Sequence, residues 1–423
     1  MPERKLIDDC VHCGFCLPAC PTYQSWGQEM DSPRGRIYLM KSLAEGKPID
    51  PSTALHFDRC LGCMACMTAC PSGVNYEALI EQTRAEVERG HRRSTSDRLF
   101  RGLIFWLFPY PQRLRVALVA QLLYVKSGLR WLTRRLGLTR LLPGRLRALE
   151  ALMPPVSAGH LTAHLPELAS AGGPRRARVA VLAGCVQRVY LPAVNQATVR
   201  VLSAEGCEVV VPPELGCCGA LSLHAGRDEE ARRFARAAID ELERAEVDFV
   251  VLNAAGCGSA MKQWGHLLAG DPAWAARAAA MAARVVDVSE LLVSLGSVAP
   301  RHPLPVQVAY HDSCHLLHAQ RIRSQPRQLL SDIPGLVLTE LADADQCCGS
   351  AGVYNLLQPD SAREIGMRKV EAVLAAAPEV LVSANPGCTL HIQMLLRERG
   401  HAIRTAHPIE LIDASIRGVS LPG

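Results

Sequence analysis

No G-x-G-x-x-G loop follows a predicted strand in these 423 residues, and there is no P-loop. The first absence removes a dinucleotide- or flavin-binding fingerprint, and the second removes a nucleoside-triphosphate cradle. The G-x-S-x-G elbow and the H-E-x-x-H helix are missing too. Neither a hydrolase nucleophile nor a catalytic zinc helix is therefore in view. Hydride chemistry on a small substrate would have to happen on another chain. The chain begins Met1-Pro2-Glu3-Arg4-Lys5, with no apolar signal core. A cytoplasmic location is expected, where cysteines bind metal or do redox chemistry more often than they form disulfides. The net charge of +5 is too mild to imply a nucleic-acid partner.

Acidic residues are absent over one long stretch. From Arg98 to Leu149 there are eleven Lys or Arg and no Asp or Glu. Phe100, Leu103, Ile104, Leu107 and Phe108 keep helical spacing up to Pro109 and Pro111. Leu114, Leu118, Leu122, Val125, Leu129 and Leu132 continue the stripe. No apolar run here approaches the ~20 residues of a spanning helix. A basic amphipathic segment suits an anionic membrane surface, which would make residues 98–149 a peripheral contact on the cytoplasmic face of the inner membrane. The plainer alternative is packing on the protein's own core or on a partner subunit.

Cysteines are also missing from 71 to 184, yet the chain has seventeen. Eight lie between Cys10 and Cys70, in two runs: Cys10-x2-Cys13-x2-Cys16-x3-Cys20-Pro21 and Cys60-x2-Cys63-x2-Cys66-x3-Cys70-Pro71. This is the bacterial two-cluster ferredoxin spacing, in which the fourth cysteine of each run ligates the other cluster. Cys10, Cys13, Cys16 and Cys70 are assigned to one [4Fe–4S] cluster. Cys20, Cys60, Cys63 and Cys66 are assigned to the second. Gly14, Gly62 and Ala65 are small enough for the backbone to approach the sulfurs. Two C-x2-C pairs alone would also suit zinc, but two full runs ending in proline favour iron–sulfur.

The remaining cysteines reveal a duplication. Cys185, Cys217-Cys218-Gly219 and Cys257 recur as Cys314, Cys347-Cys348-Gly349 and Cys388. Each copy alternates short apolar runs with helical segments: Val179–Ala183, Glu208–Val211, Asp228–Ala245 and Phe249–Leu252, then Val306–Tyr310, Pro359–Ala375 and Val380–Ser383. Parallel α/β units follow, with cysteines just past the carboxyl ends of strands. The expected organisation has four parts. A mainly α-helical two-cluster ferredoxin domain spans 1–95, with a helix at Tyr76–Arg89. A basic helical linker spans 96–175, and two repeated α/β domains span 176–300 and 301–423.

Each repeat resembles the cysteine-rich CCG domain of heterodisulfide reductases, where a lone Cys, Cys-Cys-Gly and Cys-x-x-Cys can hold an unusual [4Fe–4S] cluster. This chain lacks the last cysteine in both copies, reading Cys257-Gly258-Ser259-Ala260 and Cys388-Thr389-Leu390-His391. Four thiolates remain per copy. Cys314, Cys347, Cys348 and Cys388 are the candidate third centre, iron–sulfur or zinc, with His311, His315 and His391 nearby as competent ligands. The alternative is that some are buried small hydrophobes. His318 is expected to face solvent or cap a helix.

The segments Cys10-Val11-His12-Cys13-Gly14-Phe15-Cys16, Cys20-Pro21-Thr22-Tyr23-Gln24 and Pro33-Arg34-Gly35-Arg36-Ile37-Tyr38-Leu39 resemble the iron–sulfur subunit of bacterial glycolate oxidase. So do Leu55–Leu61, Cys70–Val74, Gly216–Ala220 and Cys347–Gly352, and the order of parts agrees over nearly the whole chain. The resemblance implies flavin-bearing partner subunits that oxidise glycolate to glyoxylate, and a chain that carries electrons onward to a quinone or membrane acceptor. Related subunits serve glycerol 3-phosphate or lactate, and a heterodisulfide-reductase-like catalytic role is a further alternative. Arg34 and Arg36 are read as structural anchors rather than as groups that tune a cluster or dock a partner.

Overall fold

The computed structural model describes residues 3–421. Around the cysteine runs the chain forms short helices, each opened by local chemistry. Pro21, Pro33 and Pro51 open Pro21–Trp26, Pro33–Ala44 and Pro51–Arg59. Proline suits the first turn because its missing N–H has no intrahelical partner there. Ser32, Asp50 and Asn75 cap the helices after them, accepting from the amides of Gly35, Thr53 and Ala78. The helix expected at Tyr76–Arg89 runs Tyr76–Gly90. Ile37, Met40, Phe57, Leu79, Ile80 and Val87 form the core between these helices.

The linker folds as helices Thr95–Leu107, Pro111–Lys126, Leu129–Arg135 and Gly144–Leu152. Its apolar stripe divides in two. Leu114, Leu118 and Leu122 are buried against Val189 of the first repeat, as the packing alternative expects. Val125, Leu129 and Leu132 are exposed, and helix Leu129–Arg135 buries no residue. Leu103 also faces out, whereas Phe105, outside the predicted stripe, is buried. Among the described residues, no helix is long and apolar enough to cross a membrane.

The described residues form nine strands, the first at the end of the linker and the rest in the repeats: β1 (Leu168–Ala169), β2 (Ala177–Val181), β3 (Cys207–Val210), β4 (Phe249–Leu252), β5 (Val285–Asp287), β6 (Val306–His311), β7 (Leu336–Glu340), β8 (Val380–Ser383) and β9 (Arg404–Ala406). The first sheet has the order β1-β3-β2-β4-β5 and the second β7-β6-β8-β9. All pairs are parallel except β1 with β3. One apolar core joins the repeats: Val179, Val181 and Val209 from the first sheet, and Val308, Tyr310, Val380 and Val382 from the second. Helices Pro192–Ala204 and Pro408–Arg417 pack between the sheets, and Arg200 donates twice to the Asp413 carboxylate at 2.9 and 2.6 Å. Every repeat cysteine of the duplicated motif follows the carboxyl end of a strand, where open α/β sheets place their sites.

Candidate metal centres and the cavity between them

The eight N-terminal thiols fall into an outer and an inner environment. Cys13 is exposed, and Cys10, Cys16 and Cys70 are half-buried. Cys20, Cys60, Cys63 and Cys66 are buried. The Cys10 thiol feels Cys70 and Cys13. The Cys66 thiol feels Cys63, Cys60 and Cys20. Burial pushes the Cys16 thiol up to about 11, and pushes Cys63 and Cys66 well above an ordinary thiol. Bare buried thiols are thus held neutral, and only a bound cation would convert the set to thiolates. This donor chemistry fits iron–sulfur clusters.

Cys60 is the exception. Burial acts to raise its thiol, but the guanidinium groups of Arg36 and Arg84 outweigh that and leave it lowered. The Gly62 amide points at its sulfur at 3.4 Å, and the Tyr76 hydroxyl lies 3.7 Å away. Gly62 adopts a positive φ of 65°, which suits a residue without a Cβ.

Arg34 and Arg36 both anchor neighbouring loops, and Arg36 in addition acts on the Cys60 thiol. Arg34 donates to both Glu29 carboxylate oxygens at 2.6 and 3.1 Å and to the His12 carbonyl at 3.1 Å. Arg36 is fully buried and donates to the His56 carbonyl at 2.7 Å, to Thr22 Oγ1 and to Asp31.

In the first repeat, Cys217 and Cys185 lie 3.8 Å apart, and the Gly219 amide donates to the Cys217 sulfur at 3.4 Å. The glycine of both Cys-Cys-Gly motifs has a backbone requirement. Gly219 and Gly349 have φ of 84° and 86°, and a Cβ on Gly349 would strike the Ala362 carbonyl.

In the second repeat, ligand atoms of His311, Cys348 and Cys388 all lie within 4.8 Å of one another and are buried. Neither ring nitrogen of His311 has an oxygen or nitrogen partner among the described residues, and the imidazole acts on the Cys388 thiol, helping to hold it low. An orphaned imidazole beside two thiols fits a metal or cluster ligand set. His315 Nδ1 lies 3.5 Å from the Cys314 sulfur. His391 is engaged elsewhere, with Asn355 at 3.4 Å and the Ala362 carbonyl at 3.3 Å. The expectation for His318 is corrected. It is buried, accepts from the Thr68 hydroxyl at 2.9 Å, and donates to the Asp345 carbonyl at 2.9 Å. The π-helical turn His315–Ala319 sits against Ala65–Thr68, so the ring is trapped between domains.

Two juxtapositions have no signal in the sequence. Cys63 packs in one cluster with Cys314, Cys347, Leu61, Ala65 and Tyr354, and the Cys63 and Cys347 thiols feel each other. The inner N-terminal group therefore abuts the second repeat. In addition, the two repeats turn their motifs toward a shared cavity of about 130 Å³. All four motif cysteines of the first repeat line it, with Cys314, Cys348 and Cys388 of the second.

Comparison with known proteins follows the same division of the chain. A 4Fe-4S dicluster domain model matches residues 6–74. A model described as the glycolate oxidase iron-sulfur subunit, linker region, matches 96–153, and the cysteine-rich CCG domain matches 179–262 and 308–393. The probable glycolate oxidase iron-sulfur subunit of Bacillus subtilis (strain 168) is 40% identical over 97% of this chain and 94% of its own length. The glycolate oxidase iron-sulfur subunit of Escherichia coli (strain K12) is 35% identical over 97% of this chain and 95% of its own. A lactate utilization protein A of Exiguobacterium sp. is 32% identical over 56% of this chain and 98% of its own. With its two-cluster [4Fe–4S] domain, its linker and its paired cysteine-rich repeats, the chain belongs to the family of glycolate oxidase iron–sulfur subunits.

Proposed function

We propose that this chain is the non-flavin, electron-transfer subunit of a complex that oxidises glycolate to glyoxylate. The carrying observation is the packing of Cys63 against Cys314 and Cys347, which links the two-cluster domain to the repeats. Cys10, Cys13, Cys16 and Cys70 hold the outer cluster, and Cys20, Cys60, Cys63 and Cys66 the inner one. Cys314, Cys347, Cys348 and Cys388, with His311 beside them, hold a third centre. When bound, such clusters supply one-electron carriers. The exposed Cys13 marks the side from which a flavin-bearing partner would approach, and a flavin is what this chain lacks for hydride removal. The eventual acceptor is a quinone.

Anaerobic purification with iron and sulfide counts and electron paramagnetic resonance tests this. About eight irons per chain are expected for two clusters and about twelve for three. Glycolate, added with the flavin partner, should reduce them. Zinc without iron, or reduction by lactate or glycerol 3-phosphate instead of glycolate, would reject the reading.

The linker is proposed to hold the chain on the cytoplasmic face of an anionic membrane. Leu123, Trp131, Leu136 and Leu141 are exposed beside Lys126, Arg135 and Arg140, an apolar and basic surface. Each basic residue near an anionic surface contributes about 1 kcal/mol. The chain should sediment with phosphatidylglycerol vesicles, stay free with phosphatidylcholine vesicles, and be released by salt. Equal binding to both vesicles would exclude the electrostatic part.

A further inference from the structure

A second cavity of about 350 Å³ opens beside the linker, among Leu114, Ala117, Leu149 and Tyr190. Its wall is apolar. Phe108, Leu152, Val186 and Leu390 line both this cavity and the cysteine-lined one, so the two join at these residues. The inner cavity differs in character: Asn253, Asn385, Ser350 and Asn355 stand among its thiols. Ser350 is 1% exposed and Asn355 6%. Ser350 Oγ and Asn355 Oδ1 are buried with no hydrogen-bond partner among the described residues. Both border Cys348 and Cys388, so they belong to the chamber of the candidate third centre.

We propose that the outer cavity binds a prenylated quinone, with its ring at the Phe108–Leu390 junction, facing the cysteine-lined chamber that the third centre would take, and its tail leaving along the linker helices. This deepens the acceptor named under the proposed function and rests on that reading. Shape alone would admit any amphiphile, but three observations select a redox-active one delivered from a membrane. The inner end is walled by the thiols of two redox-type domains. The outer end lies on helix Pro111–Lys126, whose free face carries exposed Val116, Val119 and Leu123, and residues 98–149 are basic and contain no Asp or Glu. A tail emerging there would pass straight into a lipid surface bound by the same helices.

The third observation concerns protons. His224 forms part of the inner wall, and its Nδ1 donates to Glu81 at 3.2 Å. Glu81 in turn lines an open cleft on the far side, with Gln82, Arg89 and Asp228. A hydrogen-bonded pair thus reaches from solvent to the cavity. Electron transfer between clusters needs no protons, whereas a quinone takes up two electrons and two protons and leaves as the quinol. The electrons come singly from the iron–sulfur centres and the protons from water.

A tailed hydroxyquinoline N-oxide, whose fluorescence is quenched on binding, tests the site in the full anaerobically purified chain. Saturable binding is expected, displaced by a prenylated quinone and not by a fatty acid. Leu152→Trp and, independently, Val186→Phe should each weaken it at least tenfold while the N-terminal paramagnetic signals stay unchanged. Displacement by fatty acid alone, binding that neither substitution alters, or no binding by a chain whose clusters glycolate reduces would overturn the proposal. In the last case the electron-transfer reading would stand. Clusters that glycolate fails to reduce would instead reject that reading and leave analogue binding to decide the cavity.

Discussion

Cys20→Ala is expected to destroy the inner cluster and spare the outer one, although Cys20 stands in the first cysteine run. Its thiol is buried, lies 3.2 Å from Thr22 Oγ1 and reaches the Asp31 carbonyl at 3.6 Å. It acts on Cys63 and Cys66 of the second run as well as on Cys16 of its own, and it is buried with the former pair. Cys70 is the converse: it belongs to the second run but acts on Cys10. A cubane missing one of four thiolates is left with an open iron beside buried apolar walls. The variant should therefore lose about half of its roughly eight N-terminal irons. Paramagnetic resonance of the reduced protein should show one remaining N-terminal cluster, without magnetic coupling to a neighbour. Cys70→Ala should remove the outer cluster instead. If each substitution removed the cluster of its own run, the crossed assignment would be wrong.

What could be read from the sequence was whatever depends on short separations or on a fixed period. Cysteine spacing and a following proline are local, and the repeat is a comparison of the chain with itself. Phe249–Leu252 and Val380–Ser383 match β4 and β8 to the residue. A short, mostly apolar run bounded by turn residues has few other ways to be buried. The stripe from Leu114 to Leu132 shows where such reading ends. Its period is continuous, yet burial stops after Leu122, because burial depends on where the first repeat lies and periodicity carries no such information. His318 is similar. Nothing adjacent in sequence announces Thr68, 250 residues away. The contact of Cys63 with Cys347 and the joined cavities arise from domain docking, which is fixed by many weak contacts spread over distant segments. Arg84 acts on Cys60 from helix Tyr76–Gly90, and only the docked helix reveals it.

Asp31→Ala should cost the N-terminal domain about 3–5 kcal/mol, because it removes the carboxylate partner of a buried guanidinium and leaves the Cys60 and Cys20 sulfurs as its counter-charges. Asp31 is fully buried, and its carboxylate lies 3.4 Å from Arg36, 2.9 Å from His56 Nδ1 and 3.1 Å from Arg59. Arg36 is 1% exposed and, without Asp31, would have no carboxylate partner among the described residues. A guanidinium cannot shed its proton to escape, so the whole penalty falls on the folded state. The backbone carbonyl of Asp31 also accepts from Thr22 Oγ1 at 2.6 Å, beside the sulfur of Cys20. The damage should therefore reach the inner cluster. Loss of visible cluster absorption in denaturant, compared between variants, reads this without assuming that so many domains unfold together. Arg36→Met removes that buried charge, so the double variant should recover part of the loss, with Arg84 alone left to hold the Cys60 thiol low, and Arg36→Met alone should be milder than Asp31→Ala because His56 and Arg59 still face the carboxylate. A double variant as unstable as Asp31→Ala would mean that the carboxylate acts through local geometry rather than through the buried pair.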